Sequence, residues 1–182
     1  ANGRAVKSSY AGRNWSDADY ASRLQATRES LGNLDKPEKI LAPGKYRAFI
    51  SADALNEVVT FFSWNGFGER GIRQGESAYI AMREGRESLS PRFSFSQDFS
   101  IGVQPAFNEE GELSPECLPI VTKGRIENTI VSSRTAKQYG MASNGASDGE
   151  DVRSVAIAAG ELSEVDALKA LGTGVYISNF HY

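Results

Sequence analysis

Leu118-Pro119-Ile120-Val121-Thr122-Lys123-Gly124-Arg125-Ile126 is the stretch on which the fold class turns. An apolar run enters Thr122-Lys123-Gly124, and a second strand-like run, Arg125 to Val131, leaves it. Glycine accepts the left-handed backbone of a tight turn, so the two runs read as an antiparallel hairpin. Working outward, Phe93 and Phe95 alternate with serines, as in a strand with one wet face. Lys45 to Ile50, Val152 to Ala158 and Val175 to Ser178 read as further single strands. Strands in hairpins and singles, with few regular strand–helix–strand alternations, predict an α+β fold with a mostly antiparallel sheet and several packed helices.

The helices carry start and stop signals. Ser16-Asp17-Ala18-Asp19 resembles a capping box, and Tyr20, Leu24 and Leu31 follow at helical spacing, which predicts a helix over 17–32 ended by Gly32. Pro37 and Ala42-Pro43-Gly44 punctuate a linker, dividing a connecting arm, 1–44, from a domain, 45–182. Ser51 can cap the next helix, whose Leu55, Val58, Val59 and Phe62 fall at i, i+3, i+4 and i+7 and form one apolar face. Gly66 and Gly68 end it. One further helix is expected over 70–83, with Ile72, Ala78 and Ile80 inward. Thr135 to Tyr139 is a helical turn stopped by Gly140, and Met141 to Asp151 is small and polar, which predicts a mobile loop. Ser163-Glu164-Val165-Asp166 reads as a capping box opening a last helix that ends at Gly172.

Composition narrows the function classes. The 182 residues are 40% hydrophobic with a net charge of −3, enough for a sizeable core and without the basic footprint of a nucleic-acid binder. Cys117 is the one cysteine, which excludes an internal disulfide and a Cys-based zinc cluster and fits a reducing cytoplasm. No apolar stretch approaches the ~20 residues of a membrane span, and no secretory signal opens the chain. The chain begins at Ala1, and Ile177 to Tyr182 reads as a strand in progress, giving the expectation of a segment of a longer polypeptide whose strand edge recruits a second chain.

Each candidate site has a plainer reading beside it. Glu109-Glu110 before Gly111 are adjacent acids on one bend, whereas acid–base or metal work needs carboxylates converging from different elements. Gly66-Phe67-Gly68-Glu69-Arg70-Gly71 imitates a dinucleotide fingerprint but follows a helix rather than a strand, so a helix–loop–helix bend is the better account. Cys117 and His181, the sole histidine, make a Cys–His hydrolase conceivable, but the thiol stands in an apolar run and reads as an inert core residue. Asn144-Gly145 is a turn pair, read either as a surface loop or as a ligand-contacting one. The aromatic residues Tyr10, Trp15, Tyr20, Phe61, Phe62, Trp64 and Phe67 lack flanking Lys and Arg density, which favours core packing and a partner interface over base stacking.

Three signatures recur in a set order: Phe107-Asn108-Glu109-Glu110-Gly111, then Lys123-Gly124-Arg125-Ile126, then Gly172-Thr173-Gly174-Val175-Tyr176-Ile177-Ser178-Asn179. An acidic turn, a glycine hairpin and a glycine-led closing strand in this order resemble the C-terminal half of the TldD/PmbA proteins, also known as modulators of DNA gyrase, over Leu41 to Tyr182. The resemblance implies two-domain bacterial and archaeal proteins of peptide hydrolysis and maturation. Where a zinc-dependent member carries His-Glu-x-x-x-His, this chain reads Asn56-Glu57-Val58-Val59-Thr60-Phe61, without either imidazole. The closing segment that holds the cysteine ligand in such members is not reached either. The resemblance therefore points to the metal-free, PmbA-type branch: no cofactor, a homodimer or a TldD-like partner subunit, a dimeric peptide-binding chamber, and no nucleic acid or membrane. Ser77, Gly85 and Glu87 resemble the family segment after the metal-site helix, and with Asn144 and Tyr176 they are the expected peptide or loop contacts. A structural assembly module without activity, and the Cys–His hydrolase, remain the alternatives.

Overall fold

The structure, a computed structural model, describes residues 5–10, 14–64 and 66–180. His181, and with it the Cys–His pairing, lies outside the described residues. The chain divides into two compact units, Ala1–Leu55 with Glu164–Tyr182, and Asn56–Ser163.

In the first unit, α1 spans Asp17–Leu34, and Ser16 caps it by accepting a hydrogen bond from the Asp19 N–H at 3.2 Å. Gly32 does not end this helix as expected; Asp35 does, because one glycine costs a helix only about 1 kcal/mol. No side chain of α1 is buried, so Tyr20 and Leu31 do not face a core. β1 (Ala48–Ile50) pairs in parallel with β6 (Val175–Ile177), with Phe49 opposite Tyr176. α6 (Glu164–Leu171) contacts β1 and stops before Gly172, whose φ of +61° suits glycine. Residues 178–180 are not strand, so the expected closing strand ends at Ile177.

α2 (Ala52–Ser63) opens under the Ser51 hydroxyl, which accepts from the Ala54 N–H at 3.2 Å. Val59 is buried on it and Phe62 half-buried, as the apolar face requires.

The second unit is built on a four-stranded antiparallel sheet ordered β4-β3-β2-β5, comprising β2 (Phe95–Asp98), β3 (Cys117–Thr122), β4 (Arg125–Ile126) and β5 (Val155–Ile157). The hairpin turns where the sequence places it: Lys123 (φ +48°) and Gly124 (φ +78°) form its two central residues. Its second strand is shorter than expected, and beyond Ile126 the chain makes only isolated bridges at Ile130 and Ser132. The α+β class and the antiparallel sheet hold. The single helix expected over 70–83 is two, α3 (Glu69–Gln74) and α4 (Ile80–Arg83), because Gly75 takes φ +81° and closes α3. Ala78, expected inward, is exposed between them, while Ser77 and Met82 are buried. α5 (Ser133–Tyr139) ends at Gly140, φ +65°, as read.

The core gathers Phe67, Phe95, Leu118, Ile120, Val121, Ile130 and Ala146, with Phe62, Tyr79 and Phe93 packed against it. Phe67 stacks on Tyr79 with ring centroids 4.6 Å apart. Of the seven aromatic residues weighed against base stacking, Phe67 is core and Phe62 packs against it, whereas Tyr10, Trp15, Tyr20, Phe61 and Trp64 are exposed. Cys117, expected to be an inert core thiol, is exposed instead: β3 alternates, and with Leu118 and Ile120 inward the first residue of the strand faces solvent.

Candidate functional site

Two carboxylates that sequence reasoning passed over tie the second unit together. Glu150 is only 2% exposed and takes φ +54°. Its side chain accepts from the Arg70 N–H at 2.8 Å, the Ser132 N–H at 3.0 Å and the Ser132 hydroxyl at 2.9 Å. One carboxylate therefore joins the first turn of α3 to the cap of α5, both of which present free backbone donors. Gly68 is needed beside it, since a Cβ there would stand 2.9 Å from the Glu150 Cβ. Glu69, 1% exposed, accepts from Arg73 Nε and Thr129 Oγ1, each at 2.7 Å, with Arg83 at 3.6 Å. Burial pushes its pKa up, but the hydrogen bonds from Thr129 and Arg73 and the charges of Arg83 and Arg73 outweigh burial and hold it below the ordinary glutamate value.

The segment 141–151, expected to be a mobile loop, is pinned rather than free. Asn144 Oδ1 accepts from the Val131 N–H at 2.8 Å while its Nδ2 donates to the Thr129 carbonyl at 2.7 Å. Arg153 donates to the carbonyls of Phe107 at 2.9 Å and Gly145 at 3.1 Å and to the Ser114 hydroxyl at 2.8 Å. Burial lowers the Arg153 pKa and the charge of Glu109 opposes that shift; the guanidinium stays a cation at neutral pH. Glu109 and Glu110 are exposed on a turn organised by Asn108, whose Oδ1 accepts from the N–H groups of Glu110 and Glu112. That is the solvated bend expected of them.

Of the sequence-derived contacts, Ser77 is buried, donating to the Gly66 carbonyl at 2.6 Å and accepting from the Tyr79 N–H at 3.0 Å. Gly66 and Gly68 thus serve the bend between α2 and α3: a Cβ at Gly66 would lie 2.1 Å from the Phe62 carbonyl oxygen. Gly85, at φ +74°, and the exposed Glu87 follow α4. Among the described residues no hydrogen bond joins Ser77, Gly85 or Glu87 to Asn144. Tyr176, in the other unit, stacks on Phe49 with centroids 5.5 Å apart and keeps 42% of its surface exposed.

The stretch Asn56–Phe61 presents amide, carboxylate, hydroxyl and apolar side chains on α2, a donor set that does not fit zinc, which is held by convergent imidazole, thiolate and carboxylate groups. Among the described residues no group of three His, Cys, Asp or Glu is placed to hold a metal ion. What this stretch does line is a cavity of about 340 Å³, shared by Asn56, Val59 and Thr60 with Val103, Gln104, Val152, Ser154 and Val155. Sequence reasoning did not find it, because its three contributing segments lie far apart in the chain.

Residues 43–182 match the PmbA/TldA metallopeptidase C-terminal domain, and the chain belongs to that family. No curated protein matches it. Among solved structures it is similar to a candidate modulator of a DNA gyrase from Thermotoga maritima (19% identity, TM-score 0.66), covering 80% of this chain and 34% of that one. It is also similar to TldE from Thermococcus kodakarensis (14% identity, TM-score 0.63), covering 87% of this chain and 39% of that one. A third, a candidate modulator of DNA gyrase from Bacteroides thetaiotaomicron (17% identity, TM-score 0.65), is covered to 35% by 87% of this chain. The chain thus spans between a third and two-fifths of the length of the structures it matches. These likenesses establish a shared fold. No described helix is long and apolar enough to cross a membrane.

Proposed function

We propose that this chain acts as a metal-free C-terminal domain in peptide proteolysis or maturation, forming part of a dimeric chamber that presents peptide to a metal-bearing, TldD-like subunit in the cytoplasm. The observation that carries this reading is the stretch Asn56–Phe61. By the resemblance in sequence it stands where zinc-dependent members carry His-Glu-x-x-x-His; its side chains do not suit zinc, and a cavity opens beside it. A domain of this family that supplies shape rather than a metal contributes by positioning, and positioning alone can lower a barrier substantially.

Of the five expected contacts, Glu87 and Tyr176 have exposed side chains for a peptide. Ser77 and Asn144 are committed to main-chain groups and would act through the loops they hold. The test is assembly. A tagged chain co-expressed with a TldD-like subunit should co-elute with it, and the mass by light scattering should be that of a dimer. A strictly monomeric mass at high concentration, with no co-elution, overturns the proposal.

A further inference from the structure

The cavity beside α2 lies wholly within the unit Asn56–Ser163 and has a definite chemistry. Four of its lining residues are valines: Val59, Val103, Val152 and Val155. The other four, Asn56, Thr60, Gln104 and Ser154, are polar and uncharged. No ionisable side chain lines it. The space is open on one side, with Asn56, Thr60, Val103 and Gln104 exposed. A charged group there keeps part of its hydration but meets no counter-charge, while an aliphatic group gains by covering the valines.

The polar groups are also oriented. Thr60 Oγ1 donates to the Asn56 carbonyl at 3.0 Å, and Ser154 Oγ donates to the Asp98 carbonyl at 2.6 Å. Each hydroxyl has therefore spent its proton within the protein and can offer a ligand only a lone pair. The Asn56 and Gln104 side-chain amides carry no hydrogen bond among the described residues, and each offers both a donor and an acceptor. Acceptors for an N–H, a donor for a C=O and a branched apolar wall together complement one residue of a peptide with its flanking amides. At about 340 Å³ the space lies at the small end of ligand pockets, ~300–1,000 Å³, so it suits one such residue rather than a folded partner.

We propose that this cavity is a subsite for one aliphatic, uncharged residue of a peptide. The inference rests on the peptide-handling function proposed above and adds its side-chain preference.

The test titrates the 182-residue chain with three capped peptides, acetyl-Ala-Leu-Ala-amide and its Asp and Lys counterparts, following the valine methyl resonances by NMR. The leucine peptide should shift Val103 and Val155 saturably, and the Asp and Lys peptides should bind at least tenfold more weakly. Thr60→Trp, which fills the cavity from an exposed helix position, should weaken leucine-peptide binding at least tenfold, while Thr60→Ser should not. Gln104→Ala, on an exposed segment, should weaken it several-fold and decides the matter if the tryptophan variant does not fold. Equal binding of the three peptides overturns the subsite, as does the absence of saturable shifts at millimolar peptide. So does leucine-peptide binding that Thr60→Trp, once folded, or Gln104→Ala leaves unchanged. Partner co-elution is read separately, so a lost subsite with an intact dimer removes this inference alone.

Discussion

Replacing Phe67 by alanine tests whether the aromatic cluster is the centre of the 56–163 unit. The ring is 0% exposed, stacked on Tyr79 at 4.6 Å and edge-on to Phe95 at 5.3 Å and Phe62 at 5.7 Å. A buried phenylalanine removes roughly 150–250 Å² from water, or about 4–6 kcal/mol at ~25 cal/mol per Å². That range is an upper bound, because a real unfolded chain already hides part of its apolar surface. Measured truncations of buried phenylalanines cost about 3–5 kcal/mol, so about 4 kcal/mol is expected. Phe62 touches the same cluster but is half-buried, and its truncation should cost about 2–3 kcal/mol by scaling that range to partial burial. Phe107, 53% exposed, is the control, with a change within about 0.5 kcal/mol. Urea unfolding followed by near-ultraviolet circular dichroism, at unchanged slope, gives the three values. If Phe67→Ala costs no more than Phe107→Ala, the cluster is not the core of the unit.

Glu69 gives a pH prediction whose sign is fixed. Its folded-state pKa is depressed, so its contribution is present above the unfolded value and fades as pH falls below about 4.5 toward the folded value; Glu69→Gln should flatten that limb of the stability curve, and an unaltered limb would refute the network. Gly140→Ala meets open space at φ +65° and should cost about 1–2 kcal/mol, whereas at Gly124, φ +78°, a Cβ would lie 2.2 Å from the Leu89 carbonyl oxygen. Gly124→Ala should therefore cost about 3 kcal/mol or more, and equal melting shifts for the two variants would contradict the hairpin packing. Cys117 should titrate with a thiol reagent in the native protein as completely as in urea; protection until unfolding would place it back inside the sheet.

The parts of the fold that were legible in the sequence are those whose physical cause is local. Ser16, Ser51 and Gly140 act within four residues of themselves, through a cap or a left-handed stop, and each does what its neighbourhood suggests. The face of α2 and the turn at Lys123-Gly124 are read from spacing and backbone preference alone. The exposure of Cys117 was misread: its apolar neighbours pointed inward, and alternation puts the thiol outward only once Leu118 and Ile120 are seen to face the core.

Glu150 was not legible, for a different reason. It lies in a small, polar stretch that by composition is a loop, and the donors that hold it, on Arg70 and Ser132, are 80 and 18 residues away. A buried carboxylate is tolerable only when such donors converge on it, so its burial is a property of the folded unit and leaves no mark on the surrounding sequence. The cavity beside Asn56 is of the same kind. The apolar spacing of α2 is read from the sequence, but Val103, Gln104 and Val155, which lie more than 40 residues further along the chain, come beside Asn56 and Thr60 only in the folded unit. Spacing along a helix is therefore legible in the sequence, whereas the residues that long-range packing brings beside that helix are not.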